Sequence, residues 1–141
     1  MKKMIRYVAI IVVIIGTITV TINLLAWQEL KNMIEPIENA SEVQISLKDY
    51  RTGCSMELDD TAIIQKICED ISEIDYSGIF WGETLSTPDD QAYSLTIFSK
   101  DFHEVFILSA SGRQSYAMGK NFLISIKNYD ALYKTVESAF Q

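Results

Sequence analysis

The sequence predicts an α+β domain that follows a single N-terminal transmembrane helix. Residues 7–27 form an apolar run with no charged side chain. The remaining chain contains short segments of alternating polarity, typical of strands, and two segments of helical periodicity. Short connections between the strand segments favour antiparallel pairing. We therefore expect the order β-β-α-β-β-β-β-α, as a small antiparallel sheet with two amphipathic helices on one face.

The apolar run has the length of a membrane span. As a helix, residues 7–27 would extend roughly 30 Å, the thickness of the hydrocarbon core. Lys2, Lys3 and Arg6 precede the run, and all 19 acidic residues follow it. By the positive-inside bias, this asymmetry predicts a cytoplasmic N-terminus and a domain outside the cytoplasm, in the cell membrane. The predicted organisation is a cytoplasmic tail (1–6), a signal anchor (7–27), a helical stalk or linker (28–41) and an extracytoplasmic domain (42–141).

A cleaved signal peptide is the alternative interpretation of this run. The apolar core of a signal peptide usually spans about 7–15 residues and ends at a small-residue site. The plausible cut follows Ala26 and places Leu24 at the third position before it. No cysteine lies near the end of the run, which excludes a lipid-modified cysteine anchor. We favour an uncleaved anchor and keep a secreted soluble domain as the alternative.

The predicted stalk carries one apolar stripe. Its residues recur at three- and four-residue spacing: Trp27, Leu30, Ile34 and Ile37. Pro36 is expected to end or kink the helix near Glu35, because proline lacks a backbone donor and clashes with the preceding turn. The segment is therefore predicted to be a semi-rigid spacer, or a stripe that docks against the domain or a neighbour.

A hairpin and a helix open the domain. Residues 43–58 alternate in polarity on both sides of a turn at Arg51-Thr52-Gly53, where Gly53 is free to take positive φ. Asp59 and Asp60 are suited to start a helix, because carboxylates cap exposed amide groups there. Apolar residues at helical spacing carry this helix to about Ser72.

The second half of the domain is predicted to be a meander that ends in a helix. Its strand segments are Ile74–Trp81, with a bulge at Ser77-Gly78, then Tyr93–Ser99, Glu104–Ala110 and Gln114–Met118. Gly82–Asp90 is the one long loop. Phe122–Ile126 fits either a strand or a docking loop. Asn128 or Asp130 is expected to cap the last helix.

Two cysteines leave two interpretations open. In an oxidising compartment, Cys54 and Cys68 could form a disulfide that closes a loop of about 15 residues and contributes about 3 kcal/mol. Cys68 also falls on the apolar stripe of its helix, where a free thiol packs as a small hydrophobe.

No motif indicates catalysis, a metal or a cofactor. His103 is the only histidine, in a predicted turn, and no nucleophile motif accompanies it. The acidic clusters fit helix capping and a turn, and their spacing differs from that of a calcium loop. We therefore expect a non-enzymatic protein without cofactors, with an unrecognised enzyme as the alternative.

Net charge constrains the partner. Residues 27–141 contain 19 acidic and 9 basic residues, a formal charge of −10. This charge argues against nucleic acid, whose phosphates require clustered Lys and Arg. A protein or peptide, particularly a cationic one, fits better. The oligomeric state is not indicated.

Aromatic and apolar residues around the long loop suggest an interaction surface. The candidate residues are Tyr76, Phe80, Trp81, Leu85 and Tyr93. The competing interpretation is that Phe80 and Tyr93 belong to the core and Trp81 covers a sheet edge. The predicted function is a membrane-anchored protein- or peptide-binding module, such as an immunity or accessory protein or a small subunit of a membrane complex.

Overall fold

One helix runs from the predicted anchor into the domain without a break. The computed structural model describes residues 2–38, 42–80, 91–110 and 115–141. Its elements are α1 (Lys2–Glu38), β1 (Gln44–Asp49), β2 (Ser55–Leu58), α2 (Thr61–Ser72), β3 (Asp75–Ile79), β4 (Gln91–Phe98), β5 (His103–Ser109), β6 (Ser115–Met118), β7 (Leu123–Lys127) and α3 (Asp130–Ala139).

The strands form one antiparallel sheet in the order β2-β1-β4-β5-β6-β7-β3. This sheet with its helices confirms the predicted α+β class. The open question at residues 122–126 is answered by β7, which pairs with β6 and with β3. Five strands therefore follow α2 in the described residues, one more than the predicted order. The predicted bulge in β3 is present between Tyr76 and Gly78.

A side-chain cap explains where α2 begins, but α3 begins without one. The Asp60 carboxylate accepts hydrogen bonds from the amide groups of Ala62 and Ile63, as predicted. The predicted cap of α3 is wrong. Tyr129 occupies the N-cap position without a side-chain hydrogen bond, and Asn128 instead takes a left-handed conformation with φ 61°. Asn tolerates this conformation better than most residues, so it serves the turn before the helix.

Helices cover one face of the sheet. The inward side chains of the central strands include Leu47, Leu95 and Phe106, which are fully buried in one cluster with Ile71 of α2 and Val136 of α3. α2 packs against α3 and also against α1. Apolar burial on this face is the main stabilising contribution to the domain.

The end of α1 is a third core helix. Its buried residues lie on one stripe: Ala26, Leu30, Met33, Ile34 and Ile37. Segment 28–38 therefore docks on the domain, which is the second of the two predicted alternatives. Trp27 is 44% exposed and is not part of the docked stripe.

Of the two expected effects of Pro36, an end of α1 near Glu35 is wrong, because the helix continues to Glu38. Pro36 lies in the last turn, where its missing amide removes one hydrogen bond and few later turns are affected. Burial of the adjacent Ile37, which is 1% exposed, stabilises the helical conformation on the far side of the proline.

Candidate functional site

An open cleft of about 840 Å³ lies between the end of α1 and one side of α2. Its apolar floor is formed by Ile37 of α1, Val43 before β1, and Ile64 and Cys68 of α2. Ile64 and Cys68 are four positions apart and therefore share one face of their helix. We refer to this feature as the α1–α2 cleft.

Carboxylates surround the apolar floor. Glu38, Glu42 and Glu69 line the α1–α2 cleft, and no basic residue is among the described residues that line it. Gln65 donates a hydrogen bond of 3.1 Å to Glu69 and orients that carboxylate. Lys66 lies outside the cleft lining and bonds to Asp70 at 2.5 Å. The cleft thus combines an apolar surface with local negative charge.

Asp70 links α2 to α3 through a hydrogen bond. It is 2% exposed and accepts hydrogen bonds from Lys66 and, at 2.6 Å, from the Thr135 hydroxyl of α3. A buried carboxylate needs such partners, because burial without them is costly. This link between α2 and α3 fixes which side of α2 faces α1.

The two cysteines are free thiols in this structure, which agrees with the second of the two interpretations that the sequence left open. Cys54 is exposed near the β1–β2 turn, where its carbonyl accepts a hydrogen bond from the Asp49 amide. Cys68 instead lines the α1–α2 cleft. Burial, followed by the negative charge of Glu69, raises the pKa of the Cys68 thiol. The thiol is therefore poorly suited to act as a nucleophile at neutral pH.

Of the predicted interaction residues that the structure describes, one is buried and two are half-buried. Tyr93 is 1% exposed on the inner face, where its ring packs against Tyr133 and Phe140 with centroids 5.3 and 5.6 Å away. This places Tyr93 in the core, as the competing interpretation expected. The Arg51 guanidinium lies over the same ring and donates to its hydroxyl.

Two further members of the predicted surface lie apart from Tyr93. Tyr76 is half-buried in β3, and its hydroxyl bonds to Asn23 of α1 at 2.6 Å. Phe80 is half-buried beside Tyr116, with ring centroids 5.1 Å apart. Trp81 and Leu85 lie outside the described residues.

A second cleft of about 610 Å³ lies between α1 and the ends of two hairpins, and it contains carboxylates that the sequence interpretation missed. Burial, followed by the negative charge of Glu29, raises the pKa of Glu104 to about 7. Glu104 shares the inward side of β5 with Phe106 and Leu108. That alternation is visible in the sequence, and a carboxylate at an inward position was the available signal.

The second cleft lacks a catalytic arrangement among the described residues. His103 lines it but is exposed and stacks on Phe98, with centroids 4.8 Å apart. Glu29 accepts hydrogen bonds from the Asn121 amide at 2.8 Å and its side chain at 3.0 Å. Across the described ranges, no three His, Cys, Asp or Glu residues are grouped to hold a metal ion.

Comparison with known proteins finds a solved structure of similar fold. No protein-family model matches the chain, and no curated protein matches it. A solved structure named "Putative Lipoprotein from Clostridium perfringens" is similar, with a TM-score of 0.50 and 16% sequence identity. The match covers 82% of this chain and 95% of the other chain. At this identity the likeness shows a shared fold only.

The N-terminal part of α1 has the properties of a membrane anchor. Within the described residues, one helix is long and apolar enough to cross a membrane, with a mean hydropathy of 2.6 in its most apolar window. None of that window is buried within the protein. An apolar helix that projects from the domain in this way suggests a membrane-associated protein.

Proposed function

We propose that this protein is a single-pass, membrane-anchored binding module whose α1–α2 cleft takes a cationic segment of a partner protein outside the cytoplasm. The observation that carries the proposal is an apolar floor bordered by three carboxylates. The module is non-enzymatic in this proposal and acts as an immunity or accessory protein or as a small subunit of a membrane complex.

The location is supported by α1 and by the related fold. Among the described residues, none covers the exposed apolar half of α1, and the basic residues before it favour a cytoplasmic N-terminus. The similar Clostridium perfringens structure carries the name "Putative Lipoprotein". This chain has no cysteine near the end of the run, so its own helix would provide the attachment.

The cleft chemistry supports a cationic occupant with apolar character. Apolar side chains of a bound segment would cover Ile37 and Ile64, while its Lys or Arg side chains would approach Glu38 and Glu69. Glu38 lies 17 positions after Thr21, or about 25 Å along the helix. The cleft is therefore at the end of α1 away from the bilayer, where a partner has access. Anchoring raises the effective concentration of the module at the membrane surface.

Binding of defined peptides to the full chain in zwitterionic lipid nanodiscs tests this proposal. The probes are fluorescein-labelled peptides of alternating lysine and leucine, with glutamate–leucine peptides as the opposite-charge control and empty nanodiscs as the baseline. Neutralising Glu38, Glu42 and Glu69 together with glutamine is expected to weaken lysine-peptide binding about tenfold, because three exposed ion pairs contribute roughly 0.5 kcal/mol each.

A matched triple variant separates the cleft from overall charge. Glu57→Gln, Glu73→Gln and Asp101→Asn change net charge equally at exposed positions outside the α1–α2 cleft. This variant should bind the lysine peptide as the parent protein does. Equal weakening in both triple variants, or equal binding of the two peptides, would show that the cleft is not the binding site.

A further inference from the structure

We propose that the α1–β3 edge of the domain is itself a membrane-contacting surface, seated in the headgroup layer, so that the domain lies directly on the bilayer. This inference rests on the anchoring of α1 in the proposed function. It adds a lipid-facing surface and a defined orientation, which anchoring alone does not require.

The part of α1 that is clear of the domain is short. Residues 4–21 are all exposed, whereas Ile22 and Asn23 are half-buried and Ala26 has no exposed surface. The 15 residues 7–21 span about 22 Å, and even a start at Met4 gives only about 27 Å. A hydrocarbon core is about 30 Å thick. Since the free helix is slightly shorter than this thickness, the domain begins within or against the headgroup layer.

α1 is continuous where it passes from the span into the domain. The helix has no break between the span and the core, and the Tyr76 hydroxyl binds Asn23 only two residues after the exposed run ends. A flexible linker would let the domain move away from the membrane, but none exists at this point. β3, which is an edge strand, is thereby held beside the exit of the helix from the bilayer.

Side chains change in character along the side of α1 that faces away from the domain. Leu24 is 60% exposed, Trp27 is 44% exposed, and Lys31 is exposed. They lie at positions i, i+3 and i+7, so they share one helical face over about 10 Å. Along this face the side chains are first apolar, then aromatic and then basic. This order matches the change from acyl chains to headgroups.

The acidic residue at the same level is turned towards the domain. Glu29 bonds to the amide groups of Asn121 and Phe122 and to the Asn121 side chain, at 2.8, 3.4 and 3.0 Å. A Cβ atom at Gly119 would lie 2.2 Å from the Glu29 carboxylate, so the turn accommodates this approach because it has glycine there. The first carboxylate after the span is therefore bonded to donors of the domain at the level of the headgroups.

The test uses full-length protein in vesicles of phosphatidylcholine and phosphatidylglycerol that contain lipids with a nitroxide near the headgroup end of the acyl chain. A fluorophore is attached at Ser77→Cys in a Cys54→Ala, Cys68→Ala background. Ser77 is exposed in β3 beside Tyr76. The matched control is Glu57→Cys in β2, at the opposite edge of the seven-stranded sheet and roughly 29 Å away.

Quenching at position 77 should be several-fold greater than at position 57. No quenching at either position, or equal quenching at both, would overturn the inference. Flotation of the same vesicles is measured in parallel. If the protein floats but shows no quenching at position 77, only the contact of the domain with the headgroup layer is contradicted. If the protein does not float, the anchoring is contradicted as well.

Trp27 fluorescence provides a second measurement, which needs no fluorophore at position 77. In a Trp81→Phe variant, Trp27 fluorescence should be quenched more strongly by a nitroxide near the headgroups than by one near the end of the acyl chain. The opposite order, or no quenching by either lipid, would contradict the predicted depth of the α1–β3 edge.

Discussion

The Tyr76 hydroxyl of β3 donates a hydrogen bond of 2.6 Å to the side-chain oxygen of Asn23 in α1. Asn23 in turn donates to the Thr19 carbonyl one turn earlier, at 2.8 Å. The edge of the sheet is thus joined to the helix at the point where the apolar run enters the domain. Loss of either partner leaves a half-buried polar group without its hydrogen bond.

A double-mutant cycle should detect this coupling. Tyr76→Phe and Asn23→Ala are each expected to destabilise the full chain, with an interaction energy of about 1 kcal/mol between them. The measurement is denaturant unfolding in detergent micelles, followed by near-UV circular dichroism. Simple additivity of the two single variants would show that the hydrogen bond does not contribute.

Because α1 docks on the domain, alanine substitutions of two leucines in this helix should lower the free energy of unfolding by very different amounts. Leu30 has no exposed surface, whereas Leu24 is 60% exposed. Leu30→Ala should therefore lower the free energy of unfolding by about 2–5 kcal/mol, through lost burial and a cavity. Leu24→Ala serves as the matched control and should change stability in detergent by less than about 0.5 kcal/mol. Similar values for the two variants would contradict a docked helix.

Glu104 predicts a pH dependence of stability. Burial and the charge of Glu29 raise the pKa of Glu104 from 4.5 to about 7. The folded protein therefore retains a proton that the unfolded chain releases between these two values. The stabilisation is complete below about pH 4.5 and is lost as pH rises through 7. Discounted for solvent screening, it is about 1–2 kcal/mol.

Glu104→Gln should remove this pH dependence, because glutamine keeps the shape of the side chain and does not titrate. Above pH 7 the variant should be more stable than the parent protein. Glu57→Gln, at an exposed position of β2, should retain the parent profile. Thermal unfolding in detergent between pH 5 and about 8 measures all three proteins. A parental slope in Glu104→Gln would assign the dependence to another group.

Sequence periodicity predicted the helices and strands better than it predicted which of them pack together. The helix capped by Asp60 and the hairpin before it follow from local patterns, and both are present. The stripe through Leu30 was also visible, but a stripe does not show what covers it. Its docking on the sheet depends on long-range contacts. The same limit applies to β3, which precedes β4 in the chain but lies at the far edge of the sheet.

Alternation along a strand indicates which side chains share a face of the sheet. Tyr93 alternates with Leu95 and Ile97 on the inward side of β4, so its place in the core could be inferred from β4 alone. Proximity to the long loop instead suggested a surface role. The α1–α2 cleft could not be predicted, because Glu38 and Glu69 are brought together only by the packing of two helices.

Thiol labelling measures on which side of the membrane the domain lies. Cys54 is an exposed native thiol, and a Cys68→Ala variant makes it the sole cysteine of the chain. The control is Lys3→Cys in a Cys54→Ala, Cys68→Ala background, which reports on the N-terminal tail. A membrane-impermeant maleimide is added to spheroplasts that express each full-length variant, before or after lysis.

We predict that Cys54 is labelled in intact spheroplasts and that the labelled protein remains in the membrane fraction. The cysteine at position 3 should be labelled only after lysis. Labelling of Cys54 only after lysis, or recovery of the labelled domain in the medium, would contradict a domain anchored by α1 on the extracytoplasmic side.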